Sequence, residues 1–158
     1  MQYCDYSHAK VNLHLEVLAK RENGYHDILS LMMKTGLCDL LKLDNLRVFD
    51  GEPGSVNVRI LPDGGQYASL LDDIPADKNL ITKAAREYFT ASGRSAEITV
   101  RLEKNIPAGG GLGGGSANAA SMLRLLQRSL SALGDDELLK AACRIGADVP
   151  FCLSDGAA

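Results

Sequence analysis

The chain has no excess of basic charge. Across 158 residues, 17 Lys and Arg stand against 20 Asp and Glu, a formal net charge of -3, with an isoelectric point near 5.6. That balance argues against nucleic acid as a partner, because general nucleic-acid binding needs a basic footprint. No apolar run approaches the roughly 20 residues of a membrane span, so no membrane partner is expected. The opening Met1-Gln2-Tyr3-Cys4-Asp5 lacks the basic and apolar regions of a signal peptide, and the expectation is a cytoplasmic chain. Cysteine is sparse. Cys4, Cys38, Cys143 and Cys152 show neither metal-ligand spacing nor a C-x-x-C pair, which leaves four reduced thiols, mostly buried as small apolar residues. Gly-Lys-Ser and Gly-Lys-Thr are missing, which removes a Walker A loop. His-Arg-Asp and Asp-Phe-Gly are missing too, which removes the protein-kinase signature. There is no internal repeat. What remains, 46% hydrophobic with a mean hydropathy of -0.05, is one ordinary globular domain with a real core.

Hydrophobic periodicity lays out the elements. From Ala9, the apolar residues Val11, Leu13, Leu15 and Val17 alternate with Asn12, His14 and Glu16, which predicts a half-buried strand. Glu22-Asn23-Gly24 reads as a turn, followed by strands over 25–33 and 39–44. Val56, Val58 and Ile60 mark another strand, and 61–73 reads as loop. Asn79 opens a helix carrying Ile81, Ala84, Ala85 and Tyr88 on one face, with Gly93 as its stop. Ile98, Val100 and Leu102 alternate as a further strand. Ala119, Met122, Leu123, Leu126, Leu130 and Leu133 form one helical stripe, with Gly134 as a C′ residue. Asp135 or Asp136 caps a last helix that turns Leu138, Leu139, Ala142 and Ile145 inward and stops at Gly146. Residues 151–153 look like the start of a strand. The order is that of an α+β domain rather than a regular βαβ array.

Six glycines fall within residues 107–115, directly before Ser116 and the long helical stripe. Glycine costs backbone entropy wherever it is fixed, so a run this dense between a strand and a helix points to a ligand that approaches the main chain. Unobstructed N–H groups opening onto a helix N-terminus make an anion site, with phosphate as the default guest. Gly109, Gly111 and Gly114 match G-x-G-x-x-G formally. A dinucleotide fold, however, needs a second strand ending in an acid about twenty residues on, and Asp135 and Asp136 follow a long helix and read as caps. A structural glycine knot without ligand stays open beside the phosphate reading.

The loop from Pro107 through Ala119 resembles that of the GHMP small-molecule kinases. Lys10-Val11-Asn12-Leu13, with Gly24-Tyr25-His26, resembles the first motif of the 4-diphosphocytidyl-2-C-methyl-D-erythritol kinases within that superfamily. Residues 77–81 resemble their second motif, and residues 146–151 another. The family usually has two serines after the glycines, whereas this chain has Ser116-Ala117. The resemblance implies a ribosomal-protein-S5 domain 2-like fold with a mixed β-sheet packed with helices. It places residues 1–158 as the N-terminal, ATP-binding domain of a protein about twice the size, with the C-terminal domain absent.

The resemblance also implies ATP-dependent phosphorylation of the 2-hydroxyl of a cytidine diphosphate alcohol, in non-mevalonate isoprenoid precursor synthesis, with Mg²⁺ bridging the phosphates. By resemblance Asp148 is the base and Lys10 the cation beside it, while Asn12, Tyr25 and His26 bind substrate. Asn79 and Leu80 lie on the adenine side, Asn79 doubling as a helix cap. Pro107, Gly109, Gly110, Gly111, Gly113, Gly114, Gly115 and Ser116 hold the nucleotide. Ser116 also faces the metal or caps the helix. Two alternatives stand beside this: another GHMP kinase acting on a different alcohol, and a nucleotide-binding half-domain without turnover that self-associates through its uncovered face.

Overall fold

The alternation around Ile98 is the centre of the fold. A computed structural model describes residues 3–20, 24, 26–71 and 74–154. In it β1 spans Tyr3–Lys20, β2 His26–Phe49, β3 Val56–Pro62 and β4 Ser95–Glu103. Along β4, Ala96, Ile98, Val100 and Leu102 are buried while Glu97 and Arg101 face water. Among the described residues the four strands form one sheet in the order β1-β2-β4-β3. β1 and β2 pair antiparallel, as do β2 and β4, and β3 runs parallel to β4. Register aligns the buried residues: Leu41 faces Leu102, Leu43 faces Val100, and Val58 faces Ile98.

Helices cover the apolar face. They are α1 (Leu80–Ala91), α2 (Gly114–Leu130), α3 (Asp135–Ile145) and α4 (Val149–Leu153). α1 and α2 pack on each other, α2 lies on β1 and β2, and α4 rests on α2 and β1. Ile81, Tyr88 and Phe89 of α1 meet Met122, Leu123, Leu125 and Leu126 of α2 in a core that is essentially dry. Asn79 caps α1 as predicted, its side-chain oxygen accepting from the Ile81 N–H at 3.0 Å. At the other end Gly93 takes φ +68° beyond the last turn, and the Arg94 N–H reaches back to Phe89 O.

Several expectations are corrected. Residues 151–153 are helical, not strand, because Pro150 stands in the first turn of α4, where its missing N–H costs nothing. α2 ends at Leu130 with Ser131 in the left-handed region, so Gly134 does not stop α2. It caps α3, and its N–H donates to the Glu137 carboxylate at 3.1 Å. Asp135 and Asp136 therefore lie in the first turn of α3, where negative charge favours the helix. The strands expected at 25–33 and 39–44 are one strand, β2. The four thiols are free, but of them only Cys152 is buried, while Cys4 and Cys143 are exposed.

The strand predicted from Ala9 exists, but its outer half is not half-buried. Beyond Val11, β1 and β2 leave the helices as a two-stranded arm. Leu13, Leu15, Val17, Leu18, Ile28, Leu29, Leu31 and Met33 on it are each 42–58% exposed. The ladder is broken between Asn12 and His14 and again between Val17 and Lys20. The turn residues Glu22 and Asn23 lie outside the described residues. Among the described residues no helix is long and apolar enough to cross a membrane.

Candidate active site

The glycine loop sits where β4 ends and α2 begins. Gly109, Gly111 and Gly113 take φ of +74°, +71° and +68°. Positive φ at every second residue turns successive N–H groups toward one side, the concave arrangement that binds anions. Gly113 is the N-cap of α2 and carries no side-chain cap, so the first amides of that helix stay open to a ligand. Ser116 is therefore the third residue of α2 rather than its cap, and it is half-buried.

A cavity of about 230 Å³ opens against the loop. Asn79 and Leu80 line it from the start of α1, and Pro107, Gly109, Gly110, Gly111, Gly113, Gly114 and Gly115 line it from the loop. Leu71, Ile74 and Leu102 supply apolar surface, and Lys78 and Lys104 supply positive charge. The fold thus gathers nine of the ten nucleotide candidates around one space. Ser116 is the one outside its lining.

Lys10 lies on the other side of the loop. Its backbone N–H donates to Leu112 O at 2.9 Å. A Cβ on Gly113 would come within 2.9 Å of the Lys10 stem. The ammonium, on a side chain only 9% exposed, stands 3.4 Å from Asp148 Oδ2 and donates to Asn12 Oδ1 at 3.3 Å. Asp148 is 38% exposed. It precedes α4, and its main-chain oxygen accepts from the Cys152 N–H. Lys34, paired with Lys10 in the ladder, donates to Cys152 O and Ser154 O and so ties down the far end of α4. Burial, reinforced by the Asp148 carboxylate, pushes the Cys152 thiol up to about 11. Lys10, Asn12 and Asp148 are thus brought together next to the loop.

His26 is not brought there. It pairs with Lys20, whereas Lys10 pairs with Lys34. The ten residues between Lys10 and Lys20 are roughly 30 Å of strand at ~3.3 Å per residue. Tyr25 lies outside the described residues.

Sequence reasoning missed Asp39, Lys104 and Asn118, all nearly or fully buried beside the loop. Lys104 stands two residues before Ile106 and the glycines, but nothing in linear spacing links it to Asp39. Among the described residues no cluster of three His, Cys, Asp or Glu is set to hold a metal. The donor set therefore fits Mg²⁺ only as an ion held mainly by phosphate oxygens, with the Ser116 hydroxyl as the candidate protein ligand.

Known proteins resemble this chain in sequence and in fold. Residues 79–156 match the model of the GHMP kinases N terminal domain. A 4-diphosphocytidyl-2-C-methyl-D-erythritol kinase of Desulfotalea psychrophila is 42% identical over 151 residues, covering 93% of this chain and 46% of the relative. The enzyme of the same name from Syntrophus aciditrophicus is 38% identical over 153 residues, covering 96% and 50%. A crystal structure of 4-(cytidine 5'-diphospho)-2C-methyl-D-erythritol kinase superposes with a TM-score of 0.68 at 38% identity, over 96% of this chain and 48% of that one. A homoserine kinase from Cytophaga hutchinsonii shares the fold at 24% identity and a TM-score of 0.53, over 78% and 36%. The chain spans about half the length of the curated relatives it matches. The chain thus carries the N-terminal domain of the GHMP kinases, and along nearly its whole length it is similar to 4-diphosphocytidyl-2-C-methyl-D-erythritol kinases.

Proposed function

We propose that this chain is the nucleotide-binding part of a small-molecule kinase that transfers the γ-phosphoryl group of ATP to the 2-hydroxyl of 4-diphosphocytidyl-2-C-methyl-D-erythritol, a cytoplasmic step in non-mevalonate isoprenoid precursor synthesis. The observation that carries it is the Lys10–Asp148 pair, 3.4 Å apart, standing directly against the open amides of the glycine loop. Phosphoryl transfer asks for little covalent help from a protein. It needs held phosphates, compensated charge and an oriented nucleophile. On this reading the amides of 109–116 hold the triphosphate, and the purine enters the cavity between Asn79, Leu80 and Lys104. Asp148 accepts the hydroxyl proton, and the Lys10 ammonium stabilises the oxyanion as it forms. Asn12 orients the hydroxyl. Ser116 would help hold a phosphate-bound Mg²⁺, which would supply charge neutralisation there. Ala117, where the family has a second serine, leaves the backbone donors intact.

Tyr25 and His26 take the cytosine on this reading. His26 reaches the ligand held at Lys10 only if the arm bends back over the cleft, and the two ladder breaks on the arm are the places for that bend. The remainder of a relative's length then forms the second, C-terminal domain that closes the cleft.

The test is a coupled assay on a chain of the relatives' full length. Asp148→Asn is expected to lower transfer by about 10²–10⁴-fold, the usual worth of a general base, with ATP-analogue affinity kept. Transfer at the wild-type rate would remove Asp148 from the mechanism. The exposed apolar arm favours a second reading, in which the 158-residue chain binds nucleotide without turnover and pairs with another copy through that arm. Sedimentation at rising concentration reads that association, and a monomer throughout would end it.

A further inference from the structure

Asp39 sits on β2 with no surface exposed. Its Oδ1 accepts the backbone N–H of Asn105 at 2.6 Å and that of Ile106 at 2.7 Å. Its Oδ2 accepts from Lys104 Nζ at 2.7 Å and from Asn118 Nδ2 at 3.0 Å. The four donors come from the two flanks of the glycine loop: three from residues 104–106, where the chain leaves β4, and one from inside the first turns of α2. Lys104 Nζ also donates to Ile106 O, so the carboxylate and the ammonium hold consecutive peptide units on the way into the loop.

An ionised carboxylate accepts and cannot donate. That fixes which way the Asn118 amide points: its Nδ2 must face Asp39, and its Oδ1 is left buried without a partner among the described residues. A buried polar atom without a partner costs free energy. Here it accompanies a hydrogen bond that ties α2 to β2. The loop is tethered on its far side as well, through the Lys10 N–H to Leu112 O. A stretch whose glycines carry little conformational preference of their own is thus set by three outside attachments, two of which converge on one carboxylate.

We propose that Asp39 is the positioning residue of the anion-binding loop: its carboxylate sets the separation between the end of β4 and the first turns of α2, and so the convergence of the loop amides. This rests on the nucleotide reading above and deepens it. With no surface exposed, Asp39 does not itself meet a ligand. It acts through residues 105, 106 and 118.

Two readouts test it. Hydrogen exchange of residues 105–117 in the ligand-free chain reads loop order. Calorimetry with β,γ-imido-ATP and Mg²⁺ reads affinity. Asn118→Ala removes one donor and keeps the ion pair. It is expected to raise exchange in 105–117 and weaken the analogue by about ten-fold, the loss of one hydrogen bond to a charged group, with exchange of α1 and β3 unchanged. Asp39→Asn, which leaves Lys104 without its anion, is expected to weaken the analogue by about a hundred-fold or more. The double variant Asp39→Asn with Asn118→Asp returns a carboxylate to the cluster and is expected to recover at least part of the loss. If Asp39→Asn does not fold, Asn118→Ala and the double variant decide. Wild-type exchange and affinity in Asn118→Ala, or a rise spread evenly over the whole chain, would overturn the proposal. If the wild-type chain binds no analogue, the nucleotide reading falls, and exchange alone decides Asp39: a rise confined to 105–117 supports it and no rise refutes it.

Discussion

A buried ammonium costs free energy unless it is paired, and Lys10 is paired twice, with Asp148 Oδ2 and with Asn12 Oδ1. The pair is asymmetric. The lysine is almost fully covered, while the carboxylate stays open enough for a hydroxyl to approach it. Four residues on, Cys152 reports on the same environment. Burial first, then the Asp148 charge, raise its thiol from an ordinary 9.0 to about 11. At pH 8, iodoacetamide is expected to label the exposed Cys4 and Cys143 and leave Cys152 unlabelled, as peptide mass mapping will show. Labelling of Cys152 at the rate of Cys4 would contradict this placement. The linkage has a definite sign. Between pH 9 and 11 the unfolded thiol has lost its proton and the folded one has kept it. The folded chain then binds more protons, and stability falls as pH rises through that window.

Among the elements, the loop and α2 show how far linear pattern reaches. The glycine density announced a loop of unusual backbone conformation, and the stripe from Ala119 announced a helix, because both signals are local. The left-handed cap at Gly113 was not legible, since Ser116 satisfies the usual capping preference equally well. What decides it is contact across the chain: at Gly113 a Cβ would strike Lys10 at φ +68°. Gly113→Ala is therefore expected to cost about 1–2 kcal/mol of stability for the backbone conformation alone and to displace the Lys10 stem. Gly110→Ala, whose Cβ would meet nothing closer than 3.5 Å, is expected to stay within about 0.5 kcal/mol of wild type. Urea denaturation of the two variants checks this, and equal loss in both would contradict it. α4 was misread for a related reason. Residues 151–153 are apolar and few, and a run that short does not separate strand from helix. Pro150 was the available signal.

Across the whole molecule, the α+β class, the α1 cap and the meeting of Lys10 with Asp148 were readable, because motifs and periodicity both survive in a single sequence, whereas the distance of His26 from that pair was not. The exposure of the arm was not. Leu13, Leu15 and Val17 alternate as they would in a covered strand, and alternation cannot say what lies on the apolar face. Nor could spacing find Asp39, Lys104 and Asn118, whose partnership spans 79 residues of chain. On the proposed function, the amides ahead of α2 grip a triphosphate beside Lys10 and Asp148. The most direct measurement is an amide-resolved nuclear magnetic resonance titration of the ¹⁵N-labelled chain with β,γ-imido-ATP and Mg²⁺. The amides of residues 109–116 are predicted to shift together and saturate at one stoichiometric equivalent. Saturable binding that leaves those amides unmoved, or no binding at all, would contradict it.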